Sequence, residues 1–140
     1  MELHEFHRLL GRTVMYCQCI EADVKMLYAA MRKGDFAKNY ETVSKKPLGD
    51  ILIDLRDLDR TDDDPFLSDR DYDFLLQMKN RRNHWCHEAY VRFIYISDFP
   101  DSDEYREECD RLIDDCERLG RLSQRIERIR LTAMDEYDIL

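Results

Sequence analysis

Residues 3–32 read LHEFHRLLGRTVMYCQCIEADVKMLYAAMR, and the spacing of their apolar side chains decides the fold class. Phe6, Leu10, Val14, Cys17, Ile20 (or Glu21), Val24, Leu27 and Met31 recur every three or four residues. At 3.6 residues per turn that spacing collects them on one stripe, so the stretch reads as an amphipathic helix with a long face to bury. Gly11 weakens the pattern locally, and Gly34 supplies a stop just past the last periodic residue.

Outward from this stretch the same period returns. Asp35 opens a short element in which Phe36, Tyr40 and Val43 share a face. Ser44-Lys45-Lys46-Pro47 precedes Leu48, Ile51, Leu52, Leu55 and Leu58, which predicts a helix over 47–58 with Pro in the first turn, where its missing N–H costs nothing. Asp59-Arg60-Thr61-Asp62-Asp63-Asp64-Pro65 has no apolar period and reads as a solvated acidic loop. It lacks the glycine and the distal glutamate in register that a calcium loop needs. Ser68 suits an N-cap, with Asp69 and Asp71 at the positive end of the helix dipole. Tyr72, Leu75, Leu76, Cys86, Ala89, Phe93 and Ile96 then predict a helix running to about Ser97. Asp98-Phe99-Pro100-Asp101 interrupts it. A last helix follows from Ser102 or Asp103, with Tyr105, Cys109, Leu112, Cys116, Leu119, Leu122 (or Ser123), Ile126 and Ile129 on its seam. Its outer face alternates Arg with Asp and Glu, the pattern of a solvated, ion-paired surface. The expected fold is all-α: a single domain over 1–140, an antiparallel up-and-down bundle of three long and about two short helices.

Composition agrees with this reading. The chain has 44% hydrophobic and 38% charged residues, which suits solvated helices around one core and argues against disorder. Only 4 Gly and 3 Pro are present, too few for the turns of an all-β chain. No apolar run reaches membrane-spanning length, and Met1-Glu2-Leu3-His4-Glu5 does not resemble a signal peptide, so the expected location is cytoplasmic with no membrane partner. The five cysteines are an odd set, Cys17, Cys19, Cys86, Cys109 and Cys116, and are expected as reduced thiols. Cys17 and Cys19 point about 200° apart on a helix, and the close pairs that zinc sites use are missing. The net charge of −9 excludes coating of nucleic acid by bulk electrostatics while leaving room for a small basic cleft.

The densest basic stretch is Lys79-Asn80-Arg81-Arg82-Asn83-His84, inside an otherwise amphipathic helix. Asn83 and His87 lie four apart on one face, His84 is three from His87, and Tyr90 follows one turn beyond. Arg82 is about 140° from His87 around the helix, so the two reach a common cleft only from its opposite sides. Three readings fit these residues. Arg82 pairs with a carboxylate on a neighbouring helix while the histidines fill half-buried polar positions. Or His84, His87 and Glu88 hold a metal, although no zinc-protease pattern is matched. Or the set cleaves phosphodiesters without metal or cofactor: histidine moves protons near neutrality, arginine offers a planar fork to phosphoryl oxygens, and asparagine orients one or the other.

Arg82-Asn83-His84-Trp85-Cys86-His87 resembles the signature of the HEPN superfamily, an Arg followed by a polar residue and, a few places later, a His. Two further features are similar. Pro47-Leu48-Gly49-Asp50-Ile51-Leu52 looks like the opening of a middle helix in several members. Glu21 and Asp23 fall where many members place an acidic residue facing the cleft, Glu21 being the better placed. The resemblance implies a homodimer with Arg and His of both subunits lining one cleft, and a metal-independent endoribonuclease acting on RNA. Toxin–antitoxin or phage-defence settings are common for the family, so an antitoxin is an implied partner protein. By that analogy His87 is the general acid or base, Arg82 holds the scissile phosphate and Asn83 supports them, with Glu21, His84 and Tyr90 as supporting residues. One toxin subgroup carries Arg-x4-His-x-Tyr. Here the tyrosine comes one residue later, as Tyr90. Other HEPN-like domains are non-catalytic dimerisation or ligand-binding modules, which is the alternative the sequence leaves open.

Overall fold

The computed structural model describes residues 1–139, and every regular element among them is helical. Five α-helices follow in order: α1 (Leu3–Met31), α2 (Phe36–Ser44), α3 (Leu48–Asp59), α4 (Asp69–His87) and α5 (Asp103–Glu136). A short 3-10 turn, Phe99–Asp101, leads into α5. The boundaries follow local chemistry. Asp35 caps α2 by accepting from the Lys38 amide, and Ser102 caps α5 by accepting from the Tyr105 amide. At α4 Ser68 and Asp71 form a reciprocal capping box. Gly34 has φ +107°, a conformation only glycine adopts without strain, and it turns the chain from α1 into α2.

Side-chain pairs fix the directions. Lys25 reaches the Ser44 carbonyl and Asn39 the Arg32 carbonyl, so α2 runs back along α1. Tyr72 meets Asp59, and Lys79 lies over Gly49, so α4 runs against α3. Asp71 pairs with Arg125 and His84 with Glu108, so α5 runs against α4. Successive helices therefore alternate, and α1 and α5 come out parallel, with Phe6 beside Tyr105, Tyr16 over Gly120 and Asp23 ion-paired with Arg130. No helix among the described residues is long and apolar enough to cross a membrane.

Two hydrophobic clusters share the interior. The larger joins α1, α2, α3, the first half of α4 and the second half of α5 around Ile20, Val24, Leu27, Leu52, Leu55, Leu75 and Ile126. The smaller is aromatic: Phe6 packs edge-on to Trp85 and Phe93, and Phe93 edge-on to Tyr105.

Three expectations need correction. The helix expected to run to about Ser97 ends at His87, where Glu88 turns out of helical geometry (φ −130°, ψ 5°). The next residues form successive tight turns, with Val91 bonding back to Glu88 and Ile96 to Phe93. Ala89 and Phe93 still bury, which is why the period continued, but Val91, Ile94 and Ile96 are β-branched and helix-poor, and Val91, Ile94 and Tyr95 face outward. Cys86, assigned to the apolar seam, is exposed, as is Cys19. Nor is the acidic loop wholly solvated. Asp59 is fully buried, accepting from the Phe66 and Leu67 amides at 2.8 and 3.0 Å and from the Tyr72 hydroxyl at 2.6 Å. Desolvation and that hydrogen bond push the Tyr72 phenol far above its ordinary range.

Candidate functional site

The residues singled out by the sequence occupy the last two turns of α4, where the two cores meet, and not the middle of a longer helix. Trp85 is the anchor. Its ring is buried in the aromatic cluster and its indole N–H donates to Asp115 of α5 at 2.8 Å. With Trp85 facing inward, neighbouring positions fan out to either side.

Arg82 turns toward α1. Its guanidinium donates to Glu21 at 2.7 Å, and the same carboxylate faces the Lys25 ammonium at 3.2 Å. Arg82 and Glu21 are each about a quarter exposed, so the pair is partly shielded. Arg81 turns the other way, to Asp115 at 3.6 Å. The basic cleft expected at Lys79–His84 is thus largely neutralised by facing carboxylates. Asp23, the other acidic candidate of α1, belongs to a different tie, with Arg130 at 2.8 Å. Burial raises its carboxyl above the ordinary value.

His84 turns toward α5. Its Nε2 lies 2.8 Å from Oε2 of Glu108, a carboxylate with no exposure at all, and its Nδ1 lies 3.6 Å from the exposed Glu88 carboxylate. The second Glu108 oxygen makes no hydrogen bond, but Arg111 and Arg92 approach it at 3.4 and 3.6 Å. The outer face of α5 reads in the sequence as solvated, yet two of its acidic residues, Glu108 and Asp115, are buried on one helical stripe that holds the α4–α5 junction. Their signal is faint: each directly precedes a buried cysteine, Cys109 and Cys116, at an interval of seven.

Asn83 and His87 are exposed and have no hydrogen-bond or ion-pair partner among the described residues. With Asn80, His84 and Glu88 they line an open hollow of ≈350 Å³ at the end of α4. Arg82 does not line it, so Asn83, His84 and His87 come together within one chain and Arg82 does not join them. Tyr90 is also apart: its hydroxyl bonds to Nδ1 of His7 at 2.6 Å, and burial raises its phenol above the ordinary value. No three His, Cys, Asp or Glu side chains converge as metal ligands among the described residues, which leaves the reading of His84, His87 and Glu88 as a metal site without geometric support.

A larger groove of ≈510 Å³ runs between α4 and α5 beside Arg70, Phe74, Arg118, Arg121 and Arg125. Three of its arginines face carboxylates, Asp114, Glu117 and Asp71, so its charge is mostly matched. Chemical potential concentrates in the smaller hollow, which holds two imidazoles and an amide. Comparison of the chain with protein-family models, with curated proteins and with solved structures returns no match.

Proposed function

We propose that the chain is a metal-independent endoribonuclease of the HEPN type, acting as a homodimer with a composite Arg/His site, in a toxin–antitoxin or phage-defence setting. The observation that carries the reading is the hollow at the end of α4. His87 and Asn83 stand there exposed and unpartnered, one turn apart on one face, with His84 beside them. A histidine kept for packing would be buried or bonded. His87 is neither.

Arg82 supports the dimeric reading. Within its own chain it leans away from His87 to Glu21, and on this reading a phosphate held by His87 receives its arginine from a second subunit. The test is RNA cleavage in EDTA by wild type, His87→Ala and Arg82→Ala. Both variants should lose activity. Mixing the two dead variants should restore it to at most about a quarter of wild type, because only heterodimers hold an intact site. Cleavage that vanishes in EDTA, or survives in His87→Ala, sinks the reading.

A second reading is favoured by one observation, the commitment of Arg82 to Glu21 and Lys25. On it the chain is a non-catalytic helical module of the same fold that dimerises or binds a partner such as an antitoxin. A wild-type dimer without RNA cleavage decides for it.

A further inference from the structure

We infer that His84, oriented by the buried Glu108, is the general base of the site and that His87 is its general acid; this rests on the ribonuclease reading and deepens it. The two histidines lie three apart in the last turn of α4, so their Cβ atoms are about 5–6 Å apart and both rings line the hollow. That spacing lets one phosphodiester sit between two imidazoles of a single chain.

The two rings are held very differently. His87 is exposed and without a partner among the described residues. His84 is fixed from three sides. The Trp85 ring meets it edge-on at 4.6 Å, Glu108 takes its Nε2 at 2.8 Å, and its Nδ1 lies on the side of Glu88, which lines the same hollow. Arg92 and Arg111 stand against the other Glu108 oxygen at 3.6 and 3.4 Å. A carboxylate only accepts, so Nε2 carries the hydrogen, and in the neutral ring Nδ1 keeps its lone pair on the Glu88 side of the hollow. A buried carboxylate that fixes the tautomer and direction of an imidazole is the device by which a histidine becomes a base. Burying Glu108 is costly, and the α4–α5 junction is already tied by Trp85–Asp115 and Asp71–Arg125. Orienting His84 accounts for that cost.

The step balances within the RNA strand. Nδ1 of His84 takes the 2′-hydroxyl proton, and the 2′-oxygen bonds to phosphorus. The bond from phosphorus to the 5′-oxygen breaks, and His87, entering as imidazolium, protonates that leaving oxygen. The products are a 2′,3′-cyclic phosphate and a 5′-hydroxyl, and the histidines reset by exchange with water. The charged and titratable groups facing His84 are Glu108 and, through it, Arg111 of α5, Arg92 of the following turns, and Glu88 and His87 of its own segment.

The experiment compares wild type, His84→Gln, Glu108→Gln and His87→Ala on an RNA substrate across pH, and on one whose 5′-bridging oxygen is sulfur, a leaving group that needs no proton. His84→Gln should lose about 100-fold or more in kcat/KM, and the limb that rises with pH should disappear. The sulfur substrate should rescue His87→Ala and leave His84→Gln inactive. Glu108→Gln should shift the rising limb without abolishing the falling one. Nitrogen-15 spectra of the wild type should show His84 protonated at Nε2 and bare at Nδ1, a readout independent of folding of the variants. Full activity in His84→Gln, equal rescue of both histidine variants, or a hydrogen on Nδ1 of neutral His84 overturns the inference while the ribonuclease reading stands. A wild type inert on RNA overturns both.

Discussion

Replacing Glu21 tests how firmly Arg82 is held, and the structure supplies the size of the effect. The Glu21 carboxylate accepts from Arg82 at 2.7 Å and faces Lys25 at 3.2 Å. Hydrogen bonds to charged groups contribute about 1.5–3 kcal/mol when buried, and exposed ion pairs about 0–1 kcal/mol. Arg82 and Glu21 are about a quarter exposed, so their bond falls between those limits, at about 1.5 kcal/mol. Glu21→Gln also leaves Lys25, only 11% exposed at its side chain, facing a neutral amide, and should cost about 2 kcal/mol in all. Arg82→Gln leaves Glu21 its lysine and should cost about 1–1.5 kcal/mol. Urea unfolding of both single variants and the double variant closes a cycle whose coupling energy should be about 1–1.5 kcal/mol, little changed by added salt. A coupling below about 0.3 kcal/mol would refute the reasoning, because Arg82 would then be as mobile as any surface arginine.

Four further outcomes follow from particular contacts. Asp59→Ala strips three acceptor bonds and strands the Phe66 and Leu67 amides, so urea unfolding should show a loss of about 3–5 kcal/mol, against about 1–1.5 for Tyr72→Phe. Gly34→Ala places a Cβ at φ +107° and should lower stability by at least about 1 kcal/mol in thermal melts, although it would meet the Asn39 side chain only at an ordinary contact distance of 3.9 Å. At Asp71 partial burial works against ionisation, but the Ser68 amide and the Arg125 guanidinium prevail and hold the carboxyl below its ordinary value. Its contribution to stability is therefore present above the ordinary carboxylate range and lost as pH falls through the lowered value, and Asp71→Asn should flatten that part of an acid titration followed by circular dichroism. Native-state alkylation at pH 8 should modify exposed Cys19 and Cys86 quickly and spare Cys17, whose thiol burial pushes up to about 12, together with buried Cys109 and Cys116.

Much of the fold was legible because one physical rule wrote most of it. Apolar spacing located all five helices, and Asp35, Ser68 and Ser102 marked three starts within a residue. The failures have a common cause as well. Trp85, Ala89 and Phe93 keep a four-residue interval through the end of α4, so a pattern rule cannot tell a helix from turns that bury the same side chains. Glu108, Asp115 and Asp59 were misplaced because charge was read as exposure, whereas each sits on or beside an apolar stripe with a donor waiting for it. Position in the helix gave the Asn83, His84 and His87 grouping directly. The Arg82–Glu21 bond joins residues 61 apart in sequence, and periodicity holds no information about such a pair.

Ending α4 at His87 also changes the electrostatics expected of the site. A helix C-terminus carries the negative end of the dipole, which disfavours a phosphate. The net charge of −9 and the nearby Glu88 act in the same direction. Anion binding at this end of the helix has therefore to be supplied by arginine. Within the chain Arg92 and Arg111 are already turned toward Glu108, while Arg82 is turned to Glu21. A ribonuclease at this position is thus a divided machine. On the proposed reading one chain supplies the pair of histidines for the proton transfers, and the charge that steadies the phosphate comes from the partner's arginine across an interface.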